Sequence, residues 1–251
     1  MNFESPLIEG RFCRRYKRFF AEIELPGGKL VTAHVPNTGS LKSCLNPGSP
    51  CRLVEVKDPR RKLKFTLQMI KTQTSWVGVN THLSNELGWE AFHQKKISHW
   101  ETFDHGQREV KISQKSRIDL VLWKEGFNSP APQKRLQISD FDKFSFHFVE
   151  VKNVTLAENS QALFPDAVST RGQKHLKELM DLLRRGHSAE IFYTVQREDC
   201  LSFAPAQDID PEYCRLLKEA IGYGLKATAV GCQINRKGIT LDPDQCLPIK
   251  L

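Results

Sequence analysis

The first eighty residues alternate short apolar runs with proline and glycine turns, and this spacing restricts the fold more than any other feature. One apolar run ends at the turn Pro26–Gly28 and the next returns directly, which predicts a β-hairpin. Four or five such strands in about 75 residues predict a small closed or half-closed barrel of the OB type. The predicted strands are residues 19–25, 30–35, 51–57 and 63–71.

The net positive charge of the chain is confined to this same segment. The whole sequence has 37 Lys and Arg against 29 Asp and Glu, a formal net charge of +8. Residues 1–80 hold 14 basic and 6 acidic side chains, whereas residues 81–251 hold 23 of each. A block this basic attracts polyanions, chiefly nucleic acid. The alternative interpretation is a basic surface that is simply well solvated.

Two basic clusters in the barrel segment are candidates for contact with DNA. Their cations can neutralise phosphates, and the Tyr16 ring can either stack on a base or pack inside the barrel. Neither cluster lies on a recognition helix, so we expect binding that is independent of sequence. The adjacent Phe19 and Phe20 are expected in the barrel core. The candidates are Arg14, Arg15, Tyr16, Lys17 and Arg18 in the first cluster, and Arg60, Arg61 and Lys62 in the second.

Composition excludes several classes of protein. Apolar residues make up 39% and charged residues 26%, as in soluble globular proteins. No run of about 18 apolar residues occurs, which excludes a membrane-spanning helix, and charges throughout the first 25 residues exclude a secretory signal. The seven cysteines are scattered without zinc-ligand spacing, which predicts reduced thiols, no zinc and a cytoplasmic location.

Residues 81–251 predict a second domain, a mixed sheet flanked by helices, so the fold class is α/β (α+β). A helix is expected to start at Ser84 or Asn85, and a second helix after Ser169 or Thr170. Asp210 and Pro211 begin a third helix. Strands are predicted over residues 115–123, 144–153, 189–195, 225–234 and 239–241, with a surface loop over 124–143 that joins two paired strands.

Carboxylates occupy apolar faces at three places in this domain. Glu90 lies on the apolar stripe of the first predicted helix, and Asp119 interrupts an apolar strand. Glu150 and Lys152 continue a strand face that begins with phenylalanines, because side chains two residues apart share a face. A buried carboxylate needs a partner or a metal ion. Structural ion pairs with lysine or arginine are the alternative at each position.

A helix carboxylate, a strand Asp and a Glu-x-Lys on the next strand follow the order used by PD-(D/E)xK nucleases. Asp119, Glu150 and Glu90 are the predicted ligands of Mg²⁺ or Mn²⁺, which would polarise a phosphodiester and lower the pKa of a bound water. Lys152 is expected to orient that water or stabilise negative charge. Gln173 extends the inward stripe of the second helix. The predicted catalytic set is Glu90, Asp119, Glu150, Lys152 and Gln173.

The start of that second helix is also rich in cations. Arg171 and Lys174 lie at its positive end, which suits a phosphate of the DNA. The alternative is the ordinary polarity of a helix start. His175 is close by but is not, on its own, evidence of a general base.

Several segments resemble the sugar fermentation stimulation protein A family. The resemblance runs nearly end to end, and the stretch FPDAVSTRGQKHLKEL from Phe164 is its most specific part. It implies an N-terminal OB-like barrel, a C-terminal PD-(D/E)xK-like domain, non-specific DNA binding and a regulatory link to maltose metabolism in bacteria. The other matching segments are GRFCRRYKRFFAEIEL from Gly10, residues 34–40, residues 77–81, Ser116–Asp119 and residues 149–156.

The leading hypothesis is therefore a DNA-binding protein whose C-terminal domain carries a Mg²⁺-dependent nuclease site. The alternative is a DNA-binding transcriptional regulator without catalysis, in which the carboxylates have a structural role. A sugar-responsive binding protein is a third, weaker reading, because no feature of the chain indicates a sugar site. The expected partner is DNA of either strandedness, with no membrane, and a homodimer stays open.

Overall fold

Five strands of the N-terminal segment close into a barrel in the computed structural model, which describes residues 1–3, 5–126, 130 and 135–251. The sheet order is β3-β2-β1-β4-β5-β6, and a parallel pairing of β3 with β5 closes it. This confirms the predicted OB-like barrel. Its strands are β1 (Ile8–Tyr16), β2 (Phe20–Glu24), β3 (Leu30–His34), β4 (Pro50–Glu55) and β5 (Phe65–Lys71), followed by β6 (Trp76–Gly78).

The barrel differs from the sequence prediction in two respects. Strand β1 was not predicted, yet it lies between β2 and β4 and pairs with both. Phe19 was expected in the core, but it lies in the turn between β1 and β2 with 40% of its surface exposed. The interior is filled instead by Phe12, Ile23, Leu53 and other apolar side chains that point inward from alternate strand positions.

The C-terminal domain has a six-stranded mixed sheet between helices, which confirms the predicted fold class. Its sheet order is β15-β14-β12-β9-β8-β7, and a small second sheet is ordered β10-β11-β13. The elements are α1 (His82–His93), β7 (His105–Ser113), β8 (Ser116–Trp123), β9 (His147–Val154), β10 (Leu156–Glu158), β11 (Gln161–Phe164), α2 (Thr170–Arg184), β12 (Ser188–Val195), β13 (Ser202–Pro205), α3 (Pro211–Gly222), β14 (Lys226–Ile234) and β15 (Ile239–Cys246), with 3₁₀ turns at Ser98–Trp100 and Ile138–Asp140.

The helices cover the two faces of the large sheet. Helix α1 packs on one face against β9, β12 and β15, and α2 packs on the other with α3 beside it. Side chains of β9 alternate between these layers: Phe148 belongs to the α2 and α3 core, whereas Val149 belongs to the α1 core. The even-numbered side chains of β9 therefore face α2, and this face carries the candidate site.

Helix ends follow the predicted caps in two cases of three. Ser169 accepts a hydrogen bond from the Gly172 amide, and Asp210 accepts one from the Tyr213 amide, as capping residues do. Helix α1, however, begins at His82 rather than after Ser84 or Asn85, because Asn80 Oδ1 accepts from the His82 amide. This shift frees Asn85 for another contact.

The loop predicted over residues 124–143 does join two paired strands, since β8 and β9 pair antiparallel. Its residues 127–129 and 131–134 lie outside the described residues. Strand β7 and the small β10-β11-β13 sheet were not predicted. All seven cysteines are free thiols, as expected. Among the described helices, none is both long and apolar enough to cross a membrane.

Direct contacts join the barrel to the C-terminal domain. Ser40 donates to the Asp166 carbonyl at 2.6 Å, and the Leu41 amide donates to Asp166 Oδ2 at 2.9 Å. The Gly78 amide donates to the Gln196 carbonyl at 2.9 Å, so β6 continues the barrel onto β12's end. These contacts leave a cleft between the two parts.

Candidate metal centre and nucleic-acid cleft

Strand register brings Asp119 of β8 beside Glu150 of β9. The antiparallel pairing matches Leu120 with Val149, and its continuation by one residue places the two carboxylates opposite each other. Glu150 faces α2 through His175, whereas Asp119 contacts Asn85 of α1. The pair predicted from the sequence is thus adjacent in the structure.

Asp119 is held by donors on both carboxylate oxygens. Oδ2 accepts from the Val151 amide at 2.8 Å, and Oδ1 accepts from Asn85 Nδ2 at 2.8 Å. Burial and the neighbouring Glu150 charge nevertheless raise the pKa of Asp119 to about 7. Asn85 was considered only as a helix cap in the sequence, and nothing in the local pattern signalled this contact.

Glu150 is almost fully buried, with 2% of its surface exposed. Its Oε1 accepts from Lys152 Nζ at 2.6 Å and contacts His175 Nδ1. Burial favours the neutral acid, but the charges and hydrogen bonds of Lys152 and His175 outweigh burial and hold the pKa of Glu150 below its usual value. Its other oxygen, Oε2, is buried without a hydrogen-bond partner among the described residues.

His175 is the residue that sequence reasoning set aside and the structure brings into the site. It lies one helical turn after Arg171 on α2, and its Nε2 accepts from Arg171 Nε at 3.4 Å. Its other ring nitrogen, Nδ1, faces Glu150 Oε1. The i, i+4 spacing of Arg171 and His175 was the available signal.

These residues fit a divalent cation. The unpartnered Glu150 Oε2 offers a buried oxygen ligand. Burial and, after it, repulsion by Glu150 raise the pKa of Asp119, and a cation would offset both by stabilising its negative charge. No group of three or more His, Cys, Asp or Glu side chains in the described ranges is arranged to hold a metal. A two-carboxylate set suits Mg²⁺, which keeps several waters and takes further oxygens from substrate phosphates.

Glu90 does not join this cluster, contrary to the prediction. Its Oε2 accepts from the Met1 amino group at 2.6 Å and its Oε1 from Gln94 at 2.9 Å. The buried face of α1 is centred on Leu87 and Ala91, which leaves Glu90 at its edge, toward β15, whose Ile239 carbonyl also accepts from the Met1 amino group. We therefore leave Glu90 out of the site.

Gln173 also points elsewhere. Its Nε2 donates at 2.8 Å to Asp210 Oδ1, the carboxylate that caps α3. A 3.6-residue period places successive inward positions of a helix on different neighbours, so Gln173 contacts α3 while His175 contacts β9. Gln173 ties two helices together and does not face Glu150.

A cleft of about 660 Å³ opens over the carboxylate pair. The barrel contributes Phe19, His34 and residues 36–39 to one wall, and the segment from 163 to 169 contributes to the other. Asp119, Glu150 and Lys152 line it as well. Glu86 and Arg108, which form an ion pair, also line this cleft.

The first basic cluster divides into structural and exposed residues. Arg15 was expected to contact DNA, but its guanidinium donates to the carbonyls of Arg18, Asn37, Gly39 and Ser40. Its donors are used within the barrel, so it is not available to a phosphate. The remaining members are Arg14, paired with Glu22 at 3.0 Å, Tyr16, stacked on Phe20 at 5.6 Å, and the exposed turn residues Lys17 and Arg18.

The second cluster lies near one end of the cleft. Arg60 pairs with Asp58 at 2.9 Å and Lys62 is exposed, whereas Arg61 Nη2 lies 3.5 Å from Nδ1 of His34, a residue of the cleft wall. Exposed ion pairs of this kind contribute little and exchange readily.

A second cleft meets the first beside Asp119. Arg171 and Lys174, both predicted to contact DNA, line it. Lys174 donates to Ser116 Oγ at 2.6 Å. Lys111, Lys115 and Arg117 line the same cleft and were not predicted. Their positions in a domain with no net charge gave no signal in the sequence.

Comparison with known proteins agrees with this architecture. Residues 13–79 match the family model "SfsA N-terminal OB domain", and residues 82–238 match "Sugar fermentation stimulation protein RE domain". A sugar fermentation stimulation protein homolog of Bdellovibrio bacteriovorus is 49% identical over 261 residues, covering 100% of both chains. A homolog of Geotalea uraniireducens is 42% identical and covers 96% of each chain.

A solved structure shares the whole fold. SfsA of Pyrococcus furiosus, described in complex with Ca²⁺, superimposes with a TM-score of 0.83 at 25% identity, over 100% of this chain and 98% of that one. The barrel, the mixed sheet and full-length relatives thus agree with the resemblance seen in the sequence. The chain belongs to the sugar fermentation stimulation protein family.

Proposed function

We propose that this protein is a metal-dependent nuclease that hydrolyses phosphodiester bonds of DNA held in the cleft between the barrel and the C-terminal domain. The observation that carries the proposal is the Asp119 and Glu150 pair, with Glu150 Oε2 buried and unpartnered among the described residues. Two adjacent carboxylates and a lysine beneath an open cleft are the functional groups that metal-assisted hydrolysis requires.

The residues divide the chemistry between them. A divalent cation at Asp119 and Glu150 would polarise the phosphodiester and make a bound water more acidic. Asp119 is positioned by Asn85 and the Val151 amide, which fix both of its oxygens. Lys152 Nζ, 2.6 Å from Glu150 Oε1, supplies a positive charge beside the position where negative charge develops on the phosphate.

Two further observations support a hard cation at this position. The related Pyrococcus furiosus protein is described in complex with Ca²⁺. Ca²⁺ and Mg²⁺ both prefer oxygen ligands, and Asp119 and Glu150 offer carboxylate oxygens only. Mg²⁺ or Mn²⁺ is the cation we propose for catalysis.

The test is a cleavage assay with the full chain. We expect plasmid or oligonucleotide DNA to be cut in Mg²⁺ or Mn²⁺ but not in EDTA. Glu150→Gln and Lys152→Met should each lower the rate about 100-fold or more, the scale of losing one preorganised electrostatic contact. Glu90→Gln is the matched control, because Glu90 lies outside the site, and it should cut at the wild-type rate.

One outcome would contradict the proposal. If wild-type protein is folded, binds DNA and cuts neither single nor double strands with either metal, the protein is not a nuclease. Melting curves in the same buffers show whether the protein binds the metal ion at all. Bound Mg²⁺ should raise the melting temperature of the wild type but not of Glu150→Gln.

A second candidate is a DNA-binding regulator without catalysis. The observation that favours it is that Lys152 and His175 both contact Glu150 Oε1, so this carboxylate is already compensated without a metal ion. In that case Glu150→Gln binds DNA like the wild type, and neither protein gains stability from Mg²⁺. The family name points to a role in sugar fermentation, which either activity would serve through DNA.

A further inference from the structure

An aromatic side chain stands exposed in the wall of the cleft. Phe19 keeps 40% of its surface accessible and lines the same cleft as Asp119 and Glu150. Val168, 66% exposed, lines it from the segment before α2. A single exposed apolar side chain is common on protein surfaces, but an aromatic ring in the wall of a cleft over a carboxylate pair offers a face on which a base can stack.

The turn that carries Phe19 is fixed in place by the chain around it. The Phe19 amide donates to the Lys17 carbonyl at 2.7 Å, and its carbonyl accepts from the Val35 amide at 2.8 Å. Arg15 Nε donates to the Arg18 carbonyl at 2.6 Å. The ring is therefore presented by a preorganised turn, which lowers the entropic cost of binding.

A row of cations begins directly beside the carboxylate pair. Arg117 lies two residues before Asp119 on β8, roughly 7 Å away along the strand, and both side chains line the second cleft. Lys111 of β7 pairs with Arg117 across the hairpin, and Lys115 lies in its turn. All three are exposed, and none forms an ion pair within the described parts of the chain. Unpaired cations in a groove suit phosphates.

The carboxylate floor suits a single strand better than a double helix. Glu150 is 2% exposed, and it lies beneath a cleft of about 660 Å³, a size typical of small-ligand pockets. The major groove of B-DNA alone is about 12 Å wide, and its bases are stacked inward, away from any protein aromatic ring. A single strand reaches the floor with one phosphate while its bases stay free to stack.

We propose that the cleft binds single-stranded nucleic acid, with one base stacked on Phe19 and the phosphates beyond Asp119 held by Lys111, Lys115 and Arg117. The proposal rests on the proposed function for the position of the scissile phosphate. It adds the substrate class and the path of the strand through both clefts.

The experiment measures binding in EDTA, where no cleavage occurs. The probe is a fluorescently labelled single-stranded DNA oligonucleotide, compared by anisotropy with the same sequence as a blunt duplex. One stacked base corresponds to about a 5- to 150-fold preference for the single strand. Equal affinity for the two probes, or no binding to either, overturns the proposal.

Phe19 is tested by substitution. Phe19→Ala should weaken single-strand binding about 5- to 150-fold and leave duplex binding unchanged, whereas Phe19→Trp should retain it. Leu201→Ala is the matched control, because Leu201 is 77% exposed and lines neither cleft, and it should bind like the wild type. Unchanged single-strand affinity in Phe19→Ala would show that the ring stacks on no base.

The cation row is tested through salt dependence. Combining Lys111→Gln with Arg117→Gln should reduce the slope of log affinity against log salt by about 1.4, since each single-strand phosphate contact contributes about 0.7. Combining Lys226→Gln with Lys250→Gln removes the same charge from exposed positions outside both clefts and should leave the slope unchanged. An identical slope in both doubles overturns the proposed path.

These binding results are independent of the cleavage assay. A protein that prefers single strands through Phe19 but never cuts would refute the nuclease proposal and retain this one. A protein that cuts DNA but shows no strand preference would support the nuclease proposal and overturn the single-strand proposal.

Discussion

Asp119 and Glu150 are adjacent carboxylates in opposite electrostatic surroundings. Lys152 and His175 stabilise the negative charge of Glu150, whereas Asp119 has no cationic hydrogen-bond partner among the described residues and its pKa is raised to about 7. Two groups whose environments separate their pKa values commonly take different roles. Of these two carboxylates, Asp119 is therefore the one that binds or releases a proton near neutral pH when no metal ion is bound.

The raised pKa of Asp119 predicts a specific pH dependence of stability. The folded protein keeps the Asp119 proton up to about pH 7, whereas the unfolded chain releases it near its ordinary value of 3.8. Folding stability from this group therefore falls as pH rises through that window. The Asp119→Asn side chain stays neutral at every pH and so avoids this loss. The loss in the free energy of unfolding is at most about 4 kcal/mol, because each unit of difference between the folded and unfolded pKa is worth about 1.4 kcal/mol.

The measurement is urea unfolding of both proteins in EDTA at several pH values between about 4 and 8. The free energy of unfolding of Asp119→Asn should increase relative to that of the wild type as pH rises. Leu201→Ala serves as control, because that side chain is 77% exposed and carries no titratable group, so it should give a constant difference. A difference for Asp119→Asn that is equally constant would show that the carboxylate ionises normally in the fold.

At the residue scale, strand positions were predictable and helix positions were not. A period of two left no freedom for Glu150 and Lys152, and an Asp inside an apolar strand marked Asp119. Helix faces are broader, and Glu90 lies at the edge of the buried face of α1 and not within it, which the apolar pattern did not distinguish. Gln173 was misplaced because a sequence does not reveal which neighbour an inward helix position meets.

The end of β1 and the turn that follows it changed most in role between sequence and structure. Residues 14–18 of this segment were interpreted as one phosphate-binding cluster. The structure divides them, because Arg15 is enclosed by four backbone carbonyls while Lys17 is exposed in the turn. The sequence does not distinguish the enclosed position of Arg15 from the exposed position of Lys17, because the two residues have the same basic neighbours along the chain.

This division predicts different outcomes for two substitutions. Arg15→Ala leaves carbonyls of two loops without donors and should lower the free energy of unfolding by about 1–3 kcal/mol. Lys17→Ala removes only an exposed side chain and should change stability by less than about 0.5 kcal/mol. Chemical unfolding of the two variants beside the wild type gives both values. Equal stability of Arg15→Ala and Lys17→Ala would mean that the Arg15 contacts do not hold the turn.

Elements with a clear period or cap were predictable, and those without one were missed. The hairpin of β2 and β3 follows a proline-glycine turn, and α2 and α3 carry capping side chains. Strand β1 is rich in arginine and only Phe12 in it is fully buried, so its burial pattern hardly resembles a strand. Strands β10 and β11 form a short local hairpin without a clear alternation, and β13 joins them by pairing with β11 from a distant segment, which local sequence does not encode.

At the scale of the whole molecule, the charge asymmetry has a different meaning from the one the sequence gave it. The net charge of +8 does lie in residues 1–80, yet several of its cations are engaged inside the barrel or in ion pairs. Cations of the neutral domain gather instead along the second cleft. Both domains therefore contribute to the surface where we propose that nucleic acid binds, and net charge per segment is a poor guide to it.

One of the contacts that set the relative position of the two domains is a close approach at Gly39. Gly39 of the barrel lies against the Asp166 carboxylate, which also accepts from the Leu41 amide at 2.9 Å. An added Cβ at Gly39 would overlap that carboxylate, and the Arg15 guanidinium already donates to the Gly39 carbonyl at 2.8 Å. The cleft has its shape because no side chain separates these two segments.

Gly39→Ala should therefore disturb both stability and binding. We expect a loss of about 1–3 kcal/mol in the free energy of unfolding, the usual cost of overpacking, and weaker single-strand binding because the Phe19 wall moves away from Asp119. Gly222→Ala is the matched control: a Cβ there meets no neighbouring atom, and alanine near the end of α3 should stabilise by up to about 1 kcal/mol. Urea unfolding and anisotropy with the single-stranded probe give the two readouts. Because the same contact sets the packing and the width of the cleft, a destabilised Gly39→Ala that binds the strand with full affinity would show that the barrel wall takes no part in binding.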